Sequence, residues 1–152
     1  MELRPSSLTA IVRTQIALRA LRAKINLLFF ERKYIKMSKH PELIVMLTHN
    51  DRTVENAYEI FDACKDAKAK YWGFKEVGIP LDEMKKLCSY MKACGKTTFL
   101  EVVAYTEEEC LAGAKMAVEC GFDCLMGTIF FDSILDYCKQ HDLRYMPFVG
   151  KI

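Results

Sequence analysis

The period of the apolar positions changes near residue 41. Before it, Leu8, Val12, Ile16, Leu21, Ile25 and Leu28 recur at nearly helical spacing, with Arg13, Arg19, Arg22 and Lys24 between them. That pattern predicts one amphipathic basic helix. After it, short runs of strand-forming residues alternate with helical stripes. Residues 42–47 (ELIVML) read as a first strand. Asp51 or Thr53 is expected to cap a helix reaching about Lys65, with Val54, Tyr58, Phe61 and Cys64 on one face. Residues 70–75 (KYWGFK) read as a second strand. Pro80 opens a second helix with a stripe of Leu81, Met84, Leu87, Cys88 and Met91, and Gly95 ends it. Residues 97–103 (TTFLEVV) read as a third strand. Thr106-Glu107-Glu108-Glu109 is a capping box, and its helix buries Leu111, Ala114, Ala117 and Val118 and stops at Gly121. Residues 122–126 read as a fourth strand. Asp132 or Ser133 starts a fourth helix through Ile134, Leu135 and Tyr137, and residues 143–149 read as a fifth strand.

These strands begin about 28, 27, 25 and 21 residues apart. Strand and helix alternating at that period imply βαβ crossovers and a parallel sheet. Two architectures fit: a partial (β/α)8 barrel made of four βα units plus a fifth strand, or a flavodoxin-like doubly wound sheet. The strand polarity favours the barrel. If Trp72 and Phe74 face the helices, Gly73 and Lys75 face the other way. If Leu100 and Val102 face the helices, Phe99 and Glu101 face the other way. Both charges then share one side, which a barrel interior tolerates near its C-terminal rim and a doubly covered sheet does not.

Charge separates the same two segments. Residues 1–40 carry nine Lys/Arg against Glu2 and Glu31, a net of +7, while the other 112 residues hold 13 basic and 18 acidic residues, a net of −5. Three readings of residues 1–40 stay open: an organelle transit peptide, a helix docking on a membrane surface or nucleic acid, or a non-native extension with Met37 as the start. In the last case Glu31-Arg32-Lys33 could be encoded by a purine-rich ribosome-binding site. No aromatic pattern or fold motif supports nucleic acid as a partner. The longest apolar run, Ile25–Phe30, is far short of the roughly 20 residues that span a bilayer. Apolar residues make up 51% and charged residues 28%, a balance that predicts a packed core and excludes disorder.

Seven cysteines occur with no CxxC pair. Cys64, Cys88, Cys94, Cys110 and Cys120 fall in helical segments and read as small buried hydrophobes of a reducing, cytoplasmic protein. Cys120 and Cys124 lack a nearby histidine to complete a zinc set. Neither a metal nor a cofactor is expected.

The run 70–80 (KYWGFKEVGIP), with 95–103 (GKTTFLEVV), 121–127 (GFDCLMG) and 145–150 (YMPFVG), resembles a largely uncharacterised group of bacterial aldolase-type β/α-barrel proteins. These are distantly similar to keto-deoxy-phosphogluconate aldolases. The resemblance covers residues 41–152 and aligns with the N-terminal half of such a chain. It implies a lyase or isomerase acting on a small oxo-acid or sugar-phosphate-like substrate. The later strands, where such barrels carry their phosphate-binding loops and the aldolases their Schiff-base lysine, have no counterpart here, so neither role transfers to a residue. The chain as written is therefore also read as a non-catalytic half barrel that self-associates or needs a separate second half, because open edges invite pairing.

Barrel sites form at the C-terminal ends of strands. The expected site collects Thr48, His49 and Asn50 after the first strand, Lys75 and Glu76 after the second, Glu101 in the third, Gly127 and Thr128 after the fourth, and Lys151 after the fifth. Lys75 and Glu101 are the expected catalytic pair, since a part-buried lysine beside a carboxylate can move a proton or hold a substrate carboxylate. The competing reading is a structural ion pair filling the mouth. The other residues are expected to contact substrate. His49 would be a general acid or base or a merely solvated loop histidine, and Glu76 would orient a substrate hydroxyl or face water.

Overall fold

The computed structural model describes residues 41–149. The N-terminal basic helix, the Met37 start and Lys151 lie outside them. Five strands form one parallel sheet: β1 (Ile44–Met46), β4 (Tyr71–Lys75), β5 (Thr97–Ala104), β6 (Cys124–Thr128) and β7 (Arg144–Met146). They lie side by side in sequence order, β1-β4-β5-β6-β7. The helices α1 (Ala57–Cys64), α2 (Leu81–Ala93), α3 (Glu107–Cys120) and α4 (Asp132–Gln140) alternate with these strands. Adjacent helices pack on one another, and α2, α3 and α4 also pack on the strands. The chain is α/β, and none of the described helices is long and apolar enough to cross a membrane.

The alternation seen in the sequence sets the two faces of the sheet. Trp72, Phe74, Leu100, Val102 and Leu125 join Phe61, Leu87, Met91, Ala114, Ala117, Ile134 and Cys138 in one buried cluster between sheet and helices. Phe99 and Cys124 are also buried but stand outside that cluster. Phe99 meets Tyr71 edge to face and packs beside Gly73, so it lies on the opposite side. Gly73 has a reason to be small: a Cβ there would come within 2.7 Å of the Phe99 carbonyl oxygen and 2.8 Å of the Met46 sulfur.

The punctuation also holds. Thr106 and Glu109 exchange the reciprocal bonds of a capping box, and Gly121 closes α3 at φ 79°. Pro80 immediately precedes α2, and Gly95 follows it at φ 74°.

The segment after β1 differs from expectation. Asp51 and Thr53 do not cap a helix. Thr48–His49 (β2) and Arg52–Thr53 (β3) form a small antiparallel hairpin, and α1 starts only at Ala57. Asn50 and Asp51 form its two-residue turn with φ 48° and 61°, the geometry that suits a tight hairpin and that Asn and Asp tolerate. The apolar face of α1 shifts accordingly: Ala57 and Phe61 are buried, Cys64 is exposed, and the exposed Tyr58 stacks on Tyr90. In α2, Leu81 falls outside the buried stripe. In α3 the smallest side chains do the closest packing, with Cys110, Gly113, Ala114 and Ala117 buried and Leu111 and Val118 at the margin.

Candidate functional site

Parallel strands release their C-terminal ends on one side of the sheet, and there β4 and β5 place Lys75 and Glu101 opposite each other in register. The Lys75 side chain is only 3% exposed. Its direct partner is Asp51 at the hairpin tip, with Nζ donating to Oδ1 at 2.6 Å, while the Asp51 side chain is 85% exposed. Glu101 and Glu76 act on the ammonium through charge. Burial is the largest single influence and pulls the Lys75 pKa down. The bond and charge of Asp51, with the charges of Glu101 and Glu76, outweigh it, so the net shift is upward and the lysine is held protonated.

The hairpin is clamped at its base. The Thr53 hydroxyl donates to the Lys75 carbonyl at 2.8 Å and accepts from the Lys75 N–H at 2.9 Å, and Thr53 N–H donates to the Val77 carbonyl at 2.9 Å. Gly78, at φ 118°, lets the backbones meet, because a Cβ there would lie 2.1 Å from the Thr53 carbonyl oxygen. Thr53 is therefore a supporting residue that the sequence reading assigned to helix capping. Asp51 is the functional candidate that reading missed. A usable signal was present: Asn-Asp between Thr48-His49 and Arg52-Thr53 is a two-residue hairpin pattern.

Glu76 lies at the same mouth. Its N–H donates to the Glu101 carbonyl at 3.1 Å, and its Oε1 accepts from Val103 N–H at 3.3 Å. Its Oε2 is buried without a hydrogen-bond donor among the described residues. Gly127, at φ 90°, packs directly on this group, since an added Cβ would stand 3.1 Å from Glu101 Cγ and 3.0 Å from the Val102 carbonyl. The structure thus gathers Lys75, Glu76, Glu101 and Gly127 with Asp51. Thr48 is half-buried in the hairpin, and His49 and Asn50 are exposed on it. Thr128 turns elsewhere. It is fully buried, and its hydroxyl bonds Tyr145, whose own hydroxyl donates to the Ile129 carbonyl. That hydroxyl serves the β6–β7 junction.

A groove of about 290 Å³ opens instead between the starts of α1 and α2, lined by Glu55, Tyr58, Glu59, Ile79, Glu83 and Lys86. None of the expected site residues lines it. The mouth of the sheet is preferred because, among the described residues, it alone joins a buried ammonium to neighbouring carboxylates. Among the described residues no three His, Cys, Asp or Glu side chains converge as metal ligands. The chain matches no known family model, and no curated protein matches it.

Proposed function

We propose that residues 41–149 form part of a (β/α)8 barrel of the aldolase type, and that its C-terminal mouth catalyses proton transfer next to a carbonyl, as a lyase or isomerase of small oxo-acids does. The barrel reading draws support from strands that follow sequence order, where a doubly wound sheet reverses at a switch point. Successive helices packing on one another point the same way. The single observation carrying the chemistry is a buried Lys75 in register with Glu101.

The side-chain types assign the roles. Glu101 is the base that takes a proton from the carbon beside the carbonyl. The electron pair moves to the carbonyl oxygen, and the Lys75 ammonium offsets the negative charge that develops there or on the substrate carboxylate. Proton transfer by a positioned side chain contributes roughly 10²–10⁴-fold. The test is exchange of the carbon-bound hydrogens of an oxo-acid panel into D₂O, followed by NMR. Catalysed exchange that falls by that factor in Glu101→Ala and Lys75→Ala is the expected result. Exchange unchanged by both substitutions overturns the assignment.

A second reading rests on the sheet's edges. Within the sheet β1 and β7 each pair on one side only, and Leu43, Met146 and Phe148 near them are exposed. Such edges favour association with a second copy or a complementary half barrel. Light scattering on the full chain tests this: a dimer or larger species supports it, and a stable monomer overturns it.

A further inference from the structure

The only side chain hydrogen-bonded to the Lys75 ammonium among the described residues is that of an exposed aspartate on a two-residue turn. The base of that hairpin is fastened to the end of β4 by Thr53, as described above, but its tip projects into solvent. Asp51 itself sits at φ 61°, the left-handed turn geometry that Asp tolerates. The carboxylate on Lys75 is therefore held by one ion pair on an exposed turn, not by deep packing.

We propose that Asp51 is an intramolecular stand-in for a ligand carboxylate: a small monocarboxylate displaces it from Lys75 and takes its position. This rests on the reading of Lys75 as a substrate-contacting group. Charge balance selects the class of ligand. One cation lies among three acidic side chains: Asp51 bonds it, Glu101 is level with it on β5, and Glu76 follows it in the chain with its N–H on the Glu101 carbonyl. An anion that merely joined them would add a like charge to an already negative mouth. An anion that replaces Asp51 leaves the local charge unchanged, provided it carries a single charge. A phosphate dianion would add one. The occupied site also lowers apparent affinity, because ligand binds only the fraction of molecules in which Lys75 is free.

The experiment measures pyruvate binding to the full chain by titration calorimetry, with inorganic phosphate in a parallel arm. Asp51→Gly removes the carboxylate and suits the left-handed turn, so the hairpin is retained. Asp51→Asn, also tolerant of that conformation, is the second variant should the first fail to fold. Pyruvate should bind at least about tenfold tighter to these variants than to the wild-type chain. The gain should vanish when Lys75→Met is added. No gain, or a gain that survives Lys75→Met, overturns the proposal. An equal gain for phosphate overturns the monocarboxylate class. The proton-transfer reading is scored separately: exchange that depends on Lys75 with no gain in pyruvate affinity overturns displacement alone. Tighter binding through Lys75 with no exchange by any variant overturns proton transfer alone.

Discussion

Asp123 and Thr98 bind each other through both ends of the threonine: Asp123 Oδ2 accepts from Thr98 N–H at 2.8 Å and from the Thr98 hydroxyl at 2.9 Å. Thr98 is fully buried in β5, and Asp123 precedes β6, so one carboxylate ties the start of two strands together. Lys92 from α2 adds an ion pair at 2.9 Å. Burial, the largest influence, raises the Asp123 pKa, but the bonds from Thr98 and Lys92 outweigh it and leave the carboxyl below its ordinary value. A lowered folded pKa contributes stability above the unfolded value, about pH 3.9, and that stability disappears as pH falls through the folded pKa. Asp123→Ala should cost about 1–3 kcal/mol at neutral pH, mainly by leaving the Thr98 N–H and hydroxyl without their acceptor. Urea melts from pH 7 to pH 2.5 should show the gap from wild type narrowing toward the acid end. A constant gap would assign the loss to packing alone.

Gly113 is fixed by contact across the helix–sheet interface. A Cβ on it would lie 2.6 Å from one Val102 methyl and 3.0 Å from the other, and Val102 is buried and β-branched. Gly113→Ala gains up to about 1 kcal/mol of helix propensity but loses about 1–3 kcal/mol to overpacking, so net destabilisation is expected. Val102→Ala makes room for the new methyl group. The double variant should therefore be more stable than the two single losses added together, by about 1 kcal/mol or more. Strict additivity in denaturant melts would show that the clash relaxes some other way.

The parts of this fold that were legible in the sequence are those where local chemistry and tertiary structure agree. Thr106–Glu109, Gly121 and Gly95 end their helices as their residue types require, and the alternation of Trp72-Gly73-Phe74-Lys75 assigns both faces of β4. The direction of Lys75 and Glu101, and their being level, follow from that alternation and parallel pairing. The illegible part is the stretch from Thr48 to Asn56. Asp51 and Thr53 are good helix caps and equally good turn and strand-end residues, and only the clamp onto β4 decides between them. Thr128 was misplaced for a related reason. The left-handed Gly127 breaks the two-residue period, so a count along the strand no longer gives the direction of the next side chain. Tyr145, its partner from β7, gave no local sign.

Cysteine reactivity should sort by burial. Cys88, Cys124 and Cys138 are fully buried, and burial pushes each thiol up to about 11, so almost none of any of them is thiolate at pH 8. Cys64 is exposed at the end of α1. Native full-length chain treated with a disulfide reagent at pH 8 should label Cys64 first, with the three buried thiols following only after denaturant is added. Peptide mass mapping reads the order. Early labelling of Cys88 or Cys138 would mean that the α2 or α4 interface opens in the native state.

The two ends of the mouth ion pair should fail differently. Lys75→Met replaces a buried charge with a side chain of similar length and leaves behind Asp51, which is already solvated. Asp51→Ala leaves a buried ammonium without its hydrogen-bond partner. Removing one partner of a buried charge is the costlier change, so Asp51→Ala should destabilise more than Lys75→Met at pH 7. The pH dependence separates the two further. In the wild-type chain the folded Lys75 pKa is raised, so its contribution is complete below the unfolded value, about pH 10.4, and is lost as pH rises through the folded pKa. Without Asp51 its bond and charge no longer raise the Lys75 pKa, so the folded value falls from its wild-type position. The gap between wild type and Asp51→Ala should therefore be widest below about pH 10.4 and narrow as pH rises through the folded wild-type pKa, while Lys75→Met shows no such trend. A gap that stays constant in melts carried from pH 7 to about pH 11.5 would mean that Asp51 does not set the charge of Lys75.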